Sequence, residues 1–245
     1  MTKILKPQLD IIVPVYNCLE FTKIFINSLK GQLNHHLIII DNNSDLETKK
    51  YLEGLNDAEI IFNKVNKGYL KAVNQGLKIS KAPKILLANN DIILPPHSLK
   101  RLVNGMVKNK YGIVGPYTNN IGEKFNKLLI KYKFSTKEDL FVYAQKNYRK
   151  FKRQTEEVEH ILGHCMLITR EVFNKNGLLD ESYGVGNWED IDYCYRARKN
   201  GFKVGLIKEV FVYHFCHTTF KELNIDIKKL IRDNEDIFNK KWGKI

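Results

Sequence analysis

Four short polar segments, each directly behind an apolar run, hold the residues best suited to chemistry. Pro14-Val15-Tyr16-Asn17 follows residues 9–13 (LDIIV), and Asp41-Asn42-Asn43-Ser44-Asp45 follows residues 37–40 (LIII). Residues 63–68 follow EIIF at 59–62, and Asn89-Asn90-Asp91 follows KILLA at 84–88. Asp91 sets a carboxylate among short amides, a donor set for a hard cation such as Mg2+ or Mn2+ that can neutralise a departing diphosphate. The same Asn-Asn-Asp, ahead of Pro95-Pro96, is also good turn chemistry. Asp41 could accept a bond from a nucleobase N–H, or equally close an Asx turn or cap before Leu46. Asn66-Lys67-Gly68 opens a helix, where backbone N–H groups can meet phosphate and glycine allows close approach.

The densest acidic cluster is Trp188-Glu189-Asp190-Ile191-Asp192, set behind Gly184-Val185-Gly186-Asn187. A carboxylate there could act as the general base that takes a proton from an attacking hydroxyl. The competing account is structural: Asn187 caps a helix, acids in the first turn complement its dipole, and Asp192 pairs with Arg196 one turn on. Spacing favours that account for Asp192 and leaves Asp190 open. His214 and His217 close a strand-like run.

These groups need a frame. The four β-branched runs suit strands covered on both faces. Between and after them, residues 19–30, 45–55, 68–79 and 96–108 read as helices, the last with Pro96 in its first turn. Strand alternating with helix predicts an α/β, Rossmann-like, mostly parallel sheet flanked by helices, with ligands at the strands' carboxyl ends. Further on, strands are expected at 111–115, 165–169, 203–207 and 210–215. Helices are expected at 137–151, near Glu171, at 190–199 and at 223–242. Residues 1–220 read as one domain. Residues 221–245 hold an amphipathic helix that packs on this domain or on a partner.

The bulk numbers set bounds. An apolar fraction of 43% in 245 residues supports a full core without staples. No run approaches the ~20 apolar residues of a membrane span, and residues 1–8 leave no room for a signal peptide, so a cytoplasmic location is expected. Cys18, Cys165, Cys194 and Cys216 form no CxxC pair and read as reduced thiols. A formal charge of +13 points to anionic partners. Residues 121–155 contribute ten Lys/Arg against three Asp/Glu, a basic insertion with a solvated face as its plain explanation.

Taken together, IIVPVYN (11–17), IIIDNNSD (38–45), NKGYLKAVNQG (66–76), LLANND (86–91), GHCMLITREVF (163–173) and the stretch at 178–204 resemble family 2 glycosyltransferases of the GT-A fold. The resemblance implies an inverting transferase using a nucleotide-diphosphate sugar, a UDP-sugar in the first place, with Mn2+ or Mg2+. The acceptor would be a hydroxyl on a glycan, a lipid-linked glycan or a protein. It implies that Pro14, Val15 and Asn17 line the nucleotide pocket, and that Asp41 reads the base. Asn66 and Gly68 would lie near the nucleotide and ribose, with Asn74 supporting that loop. Asn89-Asn90-Asp91 stands where the family carries its DxD-type motif, with Asp91 as the metal acid. Asp190 matches the catalytic base, Glu189 positions the acceptor or the base, and His214 helps hold metal or diphosphate. Asn89 replaces the first acid of the motif, and His217 stands where many relatives have a small residue. The basic insertion falls where acceptor-binding insertions occur, making it a candidate acceptor contact or a peripheral contact with the inner membrane face.

Two other classes compete. A sugar nucleotidyltransferase would want a glycine-rich loop after the first strand, where this chain has PVYNCLEF. A nucleic-acid-binding protein would use the aromatics among the lysines of the insertion, but strand-end carboxylates repel phosphate, and no specific nucleic acid is expected.

Overall fold

Isoleucine-rich runs become interior strands because both of their faces are covered. The structure, a computed structural model, describes residues 7–119, 136–215 and 226–243. Strands β1 (Asp10–Val15), β2 (His36–Asp41), β3 (Ala58–Phe62) and β4 (Lys84–Ala88) pair in parallel in the order β3-β2-β1-β4. Register sets Val15 beside Asp41 and Asp41 beside Phe62, so the loops behind β1, β2 and β3 leave from one edge. Helices α1 (Leu19–Leu29), α2 (Leu46–Glu53) and α3 (Tyr69–Ile79) make the crossovers.

Later elements extend the sheet in mixed sense. They are β5 (Ile92–Ile93), α4 (Ser98–Asn109), β6 (Ile113–Thr118), α5 (Lys137–Lys150), β7 (Thr155–Glu157), β8 (Cys165–Thr169), α6 (Arg170–Asn176), α7 (Glu189–Lys199), β9 (Val204–His214) and α8 (Ile227–Trp242). β8 inserts antiparallel between β4 and β6, and β9 runs parallel to β6. β5 and β7 add to β9 antiparallel. The α/β frame agrees with expectation, and its parallel order is confined to β3-β2-β1-β4 and the β6–β9 pair.

Strand alternation divides the core. Ile12, Ile38, Ile40 and Leu87 face α3, α7 and α8 through Val73, Leu77, Tyr193 and Phe238. Ile11, Val13, Ile39 and Leu86 face α1, α2 and α4 through Phe25, Leu52, Leu99 and Leu102. Each such side chain contributes about 1.5–3 kcal/mol of burial, so neither layer is dispensable. Gly76 lets α3 lie close on the sheet: a Cβ there would overlap Ile12 and stand 2.9 Å from Ile40 Cδ1.

Several boundaries differ from expectation for identifiable reasons. Helix α4 begins at Ser98, not Pro96, because Ser98 N and Oγ both bond Pro95 O, and His97 turns left-handed (φ 68°). The separate strands expected at 203–207 and 210–215 are the single strand β9, whose central Lys208 pairs with Glu156 while Glu209 accepts from Arg153 N. Asn187 is not the cap of α7; Trp188 holds that position, also left-handed (φ 75°). Thr136 caps α5, and Arg101 stacks on Tyr148, 3.8 Å from the ring centroid, docking this part of the basic insertion on α4. Residues 121–135 of that insertion, and the expected helix start at 223–225, lie outside the described residues. Among the described residues, no helix is long and apolar enough to cross a membrane.

Candidate active site

The loops behind β1, β2 and β3 are sewn together by neutral amides. Asn17 N donates to Ser44 Oγ (2.8 Å), and Asn17 Oδ1 accepts from Asp45 N (2.9 Å). Asn17 and Cys18 are left-handed (φ 52° and 55°), which turns the chain sharply after Val15. Asn42 ties three segments: its Nδ2 donates to Asn66 Oδ1 (2.7 Å), and its Oδ1 accepts from Lys67 N (2.9 Å) and Asn63 Nδ2 (3.1 Å). Asn66 Oδ1 also accepts from Gly68 N (2.9 Å), and Gly68 takes φ 83°. Asp41 is fully buried and accepts from Ser44 N three residues on (3.2 Å), which is neither the Asx turn nor the helix cap expected for it, since Asp45 caps α2. Pro14, Val15 and Asn17 therefore border the same strand-end edge as Asp41, Asn66 and Gly68.

Behind β4 lies a second group. His214, at the end of β9, places Nε2 3.2 Å from Asp91 Oδ1 and 3.4 Å from Asn89 Nδ2. The His164 ring stacks on His214 at 4.6 Å and 8°. Burial, and then the neighbouring His214, hold the His164 imidazole well below the ordinary histidine range, so it is neutral. Asn89 Oδ1, His164 Nε2 and His214 Nδ1 are buried without hydrogen-bond partners, a costly state for an interior polar atom unless a ligand completes it. An octahedral cation with ligands at ~2.1 Å sets adjacent donors about 3 Å apart, which the Asp91–His214 separation fits. Turned about its side-chain amide, Asn89 would present Oδ1 toward the same point. Among the described residues no three His, Cys, Asp or Glu side chains gather around one position. Such a cation would therefore draw its remaining ligands from water and substrate phosphate, as Mg2+ commonly does.

The acid pair forms a third group. Asp190 Oδ2 accepts from Gly163 N and Oδ1 from Ile191 N, both at 2.8 Å. Burial raises its carboxyl, while these backbone donors and nearby His160 pull it back. Glu189 is raised well above the carboxylate range, by burial first and then by the Asp190 charge, and its Oε2 has no hydrogen-bond partner. Two adjacent buried acids cannot both ionise cheaply. Two backbone donors favour the charge on Asp190, whereas Glu189 Oε2 has none. Tyr69, first residue of α3, lies beside the acid pair. A Cβ on Gly163 would stand 3.5 Å from Glu189 Oε1 and 3.6 Å from Tyr69 Oη, and one on Gly186 would meet both side chains. The residue as a whole is partly covered, but its hydroxyl is enclosed. Burial, followed by the charges of Glu189, Asp190 and Asp91, pushes that phenol well above its usual range.

Gly163 N bonds Asp190, while the adjacent His164 stacks on His214 and accepts from Asn89 N through its carbonyl, so residues 163–164 join the two groups. Asn90 points elsewhere: its amide donates to Thr22 Oγ1 (2.9 Å) beneath α1. Asn74 does not hold the 66–68 loop. It brackets Leu179 through both backbone groups and donates to Glu181 Oε1 (3.0 Å), tying α3 to the approach to the glycine loop. Asp192 is structural, bonded by Arg196 Nε (2.8 Å) as its spacing suggested, and also by Lys241 and Trp242. His217 lies outside the described residues. Tyr69, His160 and His164 escaped sequence reasoning, since each is defined by neighbours far along the chain.

A sheet of this order, with acids converging at its carboxyl edge, is that of the GT-A glycosyltransferases. The glycosyl transferase family 2 model matches residues 10–177, and the chain belongs to that family. It is 23% identical to the low-salt glycan biosynthesis hexosyltransferase Agl10 of Haloferax volcanii, over 97% of this chain and 79% of that protein. It is 28% identical to an uncharacterized glycosyltransferase of Rickettsia typhi, over 72% of this chain and 54% of that protein. Among solved structures, GalNAc-T7 with UDP, GalNAc and Mn2+ superposes with TM-score 0.65 at 15% identity, over 84% of this chain. S. aureus TarS 1-349 gives 0.63 at 15% identity, over 96% of this chain and 74% of that one. The chain spans 43% of the GalNAc-T7 chain and about half of the rickettsial relative.

Proposed function

We propose that this chain is an inverting glycosyltransferase that takes its sugar from a nucleotide diphosphate, a UDP-sugar in the first place. The acceptor is a hydroxyl on a glycan, a lipid-linked glycan or a protein. The enzyme works in the cytoplasm, at the inner membrane face where the acceptor is lipid-linked. One observation carries the reading: Asp91 with His214, and Asp190 with Glu189, come from separate stretches of chain and are joined through residues 163–164, where Gly163 N bonds Asp190 and the His164 ring stacks on His214. Relatives of the same fold have been solved with UDP and Mn2+, and with GDP-Man and Mn2+.

In this reading the amide-sewn loops behind β1, β2 and β3 receive the nucleoside, with Asp41 beneath the base. Asp91, His214 and Asn89 would hold Mn2+ or Mg2+, which offsets charge on the leaving diphosphate. Asp190 accepts the acceptor's hydroxyl proton as that oxygen bonds the anomeric carbon and the bond to diphosphate breaks, releasing the nucleoside diphosphate. Glu189 beside it positions the acceptor or the base. A thermal-shift panel of UDP-, dTDP- and GDP-sugars with and without Mn2+ tests this: one should stabilise the protein in a metal-dependent way. Stabilisation by none refutes the donor and metal assignment.

A further inference from the structure

Helix α8 lies beyond the 10–177 span of the family match, yet its contacts fall on the loop that carries the acid pair. Between Gly184 and Trp188, four of five residues have positive φ: Gly184 (62°), Gly186 (113°), Asn187 (70°) and Trp188 (75°). Two consecutive non-glycine residues in the left-handed region persist only where their surroundings over-determine them. Here the backbone turns three carbonyls toward one side chain. Asn234 Nδ2 lies 3.0 Å from Tyr183 O, 2.8 Å from Gly186 O and 2.9 Å from Asn187 O, and Asn234 is 3% exposed. An apolar residue of the same volume would fill the space but remove this donor from all three carbonyls, leaving Tyr183 O only its bond from Gly186 N.

The grip continues past the acids. Phe238, fully buried, packs against the Trp188 ring (5.2 Å) and Tyr195 (5.7 Å). Asp192 Oδ1, in the first turn of α7, accepts from Lys241 Nζ and Trp242 Nε1, both at 2.7 Å. Helix α8 therefore holds the chain on both sides of Glu189-Asp190. The nucleotide-side loops are fastened separately, through Asn17, Asn42 and Asn66.

We propose that Asn234 is a positioning residue for Asp190, and that α8 is the element keeping the acid pair in register with Gly163 and Tyr69. This rests on the reading of Asp190 as the base. Asn234→Asp keeps the shape and sets a carboxylate against three carbonyls; Asn234→Ala removes the donor; Asn234→Gln retains one. Three readouts apply to the full chain: amide exchange over 184–190, affinity for UDP, dTDP and GDP by calorimetry, and nucleoside diphosphate release from the sugar nucleotide selected by the panel above.

In the Asp and Ala variants, exchange should rise at 184–188 and turnover should fall about 10–100-fold, as expected for a catalytic group displaced by an ångström. Nucleotide affinity should stay within about twofold, and the acid limb of the pH–rate profile should move as Asp190 loses its Gly163 bond. The Gln variant should recover part of the turnover. A lower melting temperature with turnover and pH limb unchanged overturns the proposal, as does unchanged exchange or a parallel loss of nucleotide affinity. Should Asn234→Asp not fold, Trp242→Phe loosens the far end of the grip, and unchanged turnover there overturns the proposal equally. Asp190→Asn, run alongside, separates the two claims. Retained turnover in that variant refutes the base, whereas its loss with intact Asn234 variants refutes only the positioning.

Discussion

A buried acid lies near each edge of the sheet, Asp10 on β1 and Asp190 on α7, and their surroundings differ. Asp10, where β1 begins, accepts from Lys81 N (2.6 Å) and Ala82 N (2.7 Å), with His36 at 3.3 Å and Arg170 at 3.8 Å. Its lone pairs are fully engaged within the protein. At the carboxyl edge, Asn89, His164, Glu189 and His214 each bury a polar atom with no hydrogen-bond partner, and Glu189 and Asp190 crowd like charges together. Removing one member of such a completed set strands the others, at a cost to the fold. An incomplete one stores a demand that a ligand can meet. Burial alone therefore does not distinguish structure from function, and neither do one acid's own bonds, since Asp190 is bonded too; the unpartnered atoms around it mark the difference.

The contrast can be broken most forcefully at Asp190. Asp190→Asn should lower transfer by about 10³-fold while calorimetric nucleotide binding persists, the loss expected when a general base is removed. At the opposite end, Asp10→Ala should cost about 3 kcal/mol in denaturant unfolding and leave turnover per folded molecule unchanged. If Asp10→Ala impaired chemistry instead, the two ends would not be functionally separate. Next in size, His214→Ala should weaken Mn2+-dependent thermal stabilisation about 10–100-fold in metal concentration, with little change in the metal-free melting temperature. The smallest effect belongs to Glu189. Its raised carboxyl means the folded state prefers the proton, so its contribution to stability is full at low pH and lost as pH rises through the folded value. Glu189→Gln should therefore raise stability by about 1 kcal/mol at pH 8, with no gain at pH 4 and impaired transfer. For the same reason, wild-type transfer should fail on acidification above the ordinary aspartate range, because Asp190 too is raised.

Much of the frame was legible because its cause is local. Lys84–Ala88 and Cys165–Thr169 match residue for residue, since an apolar run bounded by polar turns leaves little choice. Thr155–Glu157 was not legible as a strand: it is polar, and only pairing with β9 makes it one. Ile92–Ile93 is two residues long and owes its form to Tyr213 and His214 across the sheet. Within the site, Asp41 and Asp91 could be picked out because they sit at strand ends, and Glu189-Asp190 because they cluster behind a glycine loop. Asn74 was misjudged because its partner Leu179 lies 105 residues away, and Asn234 was invisible because its acceptors are backbone carbonyls, which every residue possesses. Spacing along the chain finds groups that face an edge. It does not find those that hold the edge in place.

Gly76 has no chemistry of its own, yet the height of the catalytic floor depends on it. With no side chain between α3 and the Ile12–Ile40 surface, the helix settles low, and Tyr69 at its other end reaches the opposite loop at its present depth. Any bulk at position 76 has nowhere to go, since both isoleucines are hemmed in by the sheet. The helix would ride up and carry its first turn with it, so an interior position out of reach of any substrate constrains how wide the cleft can be.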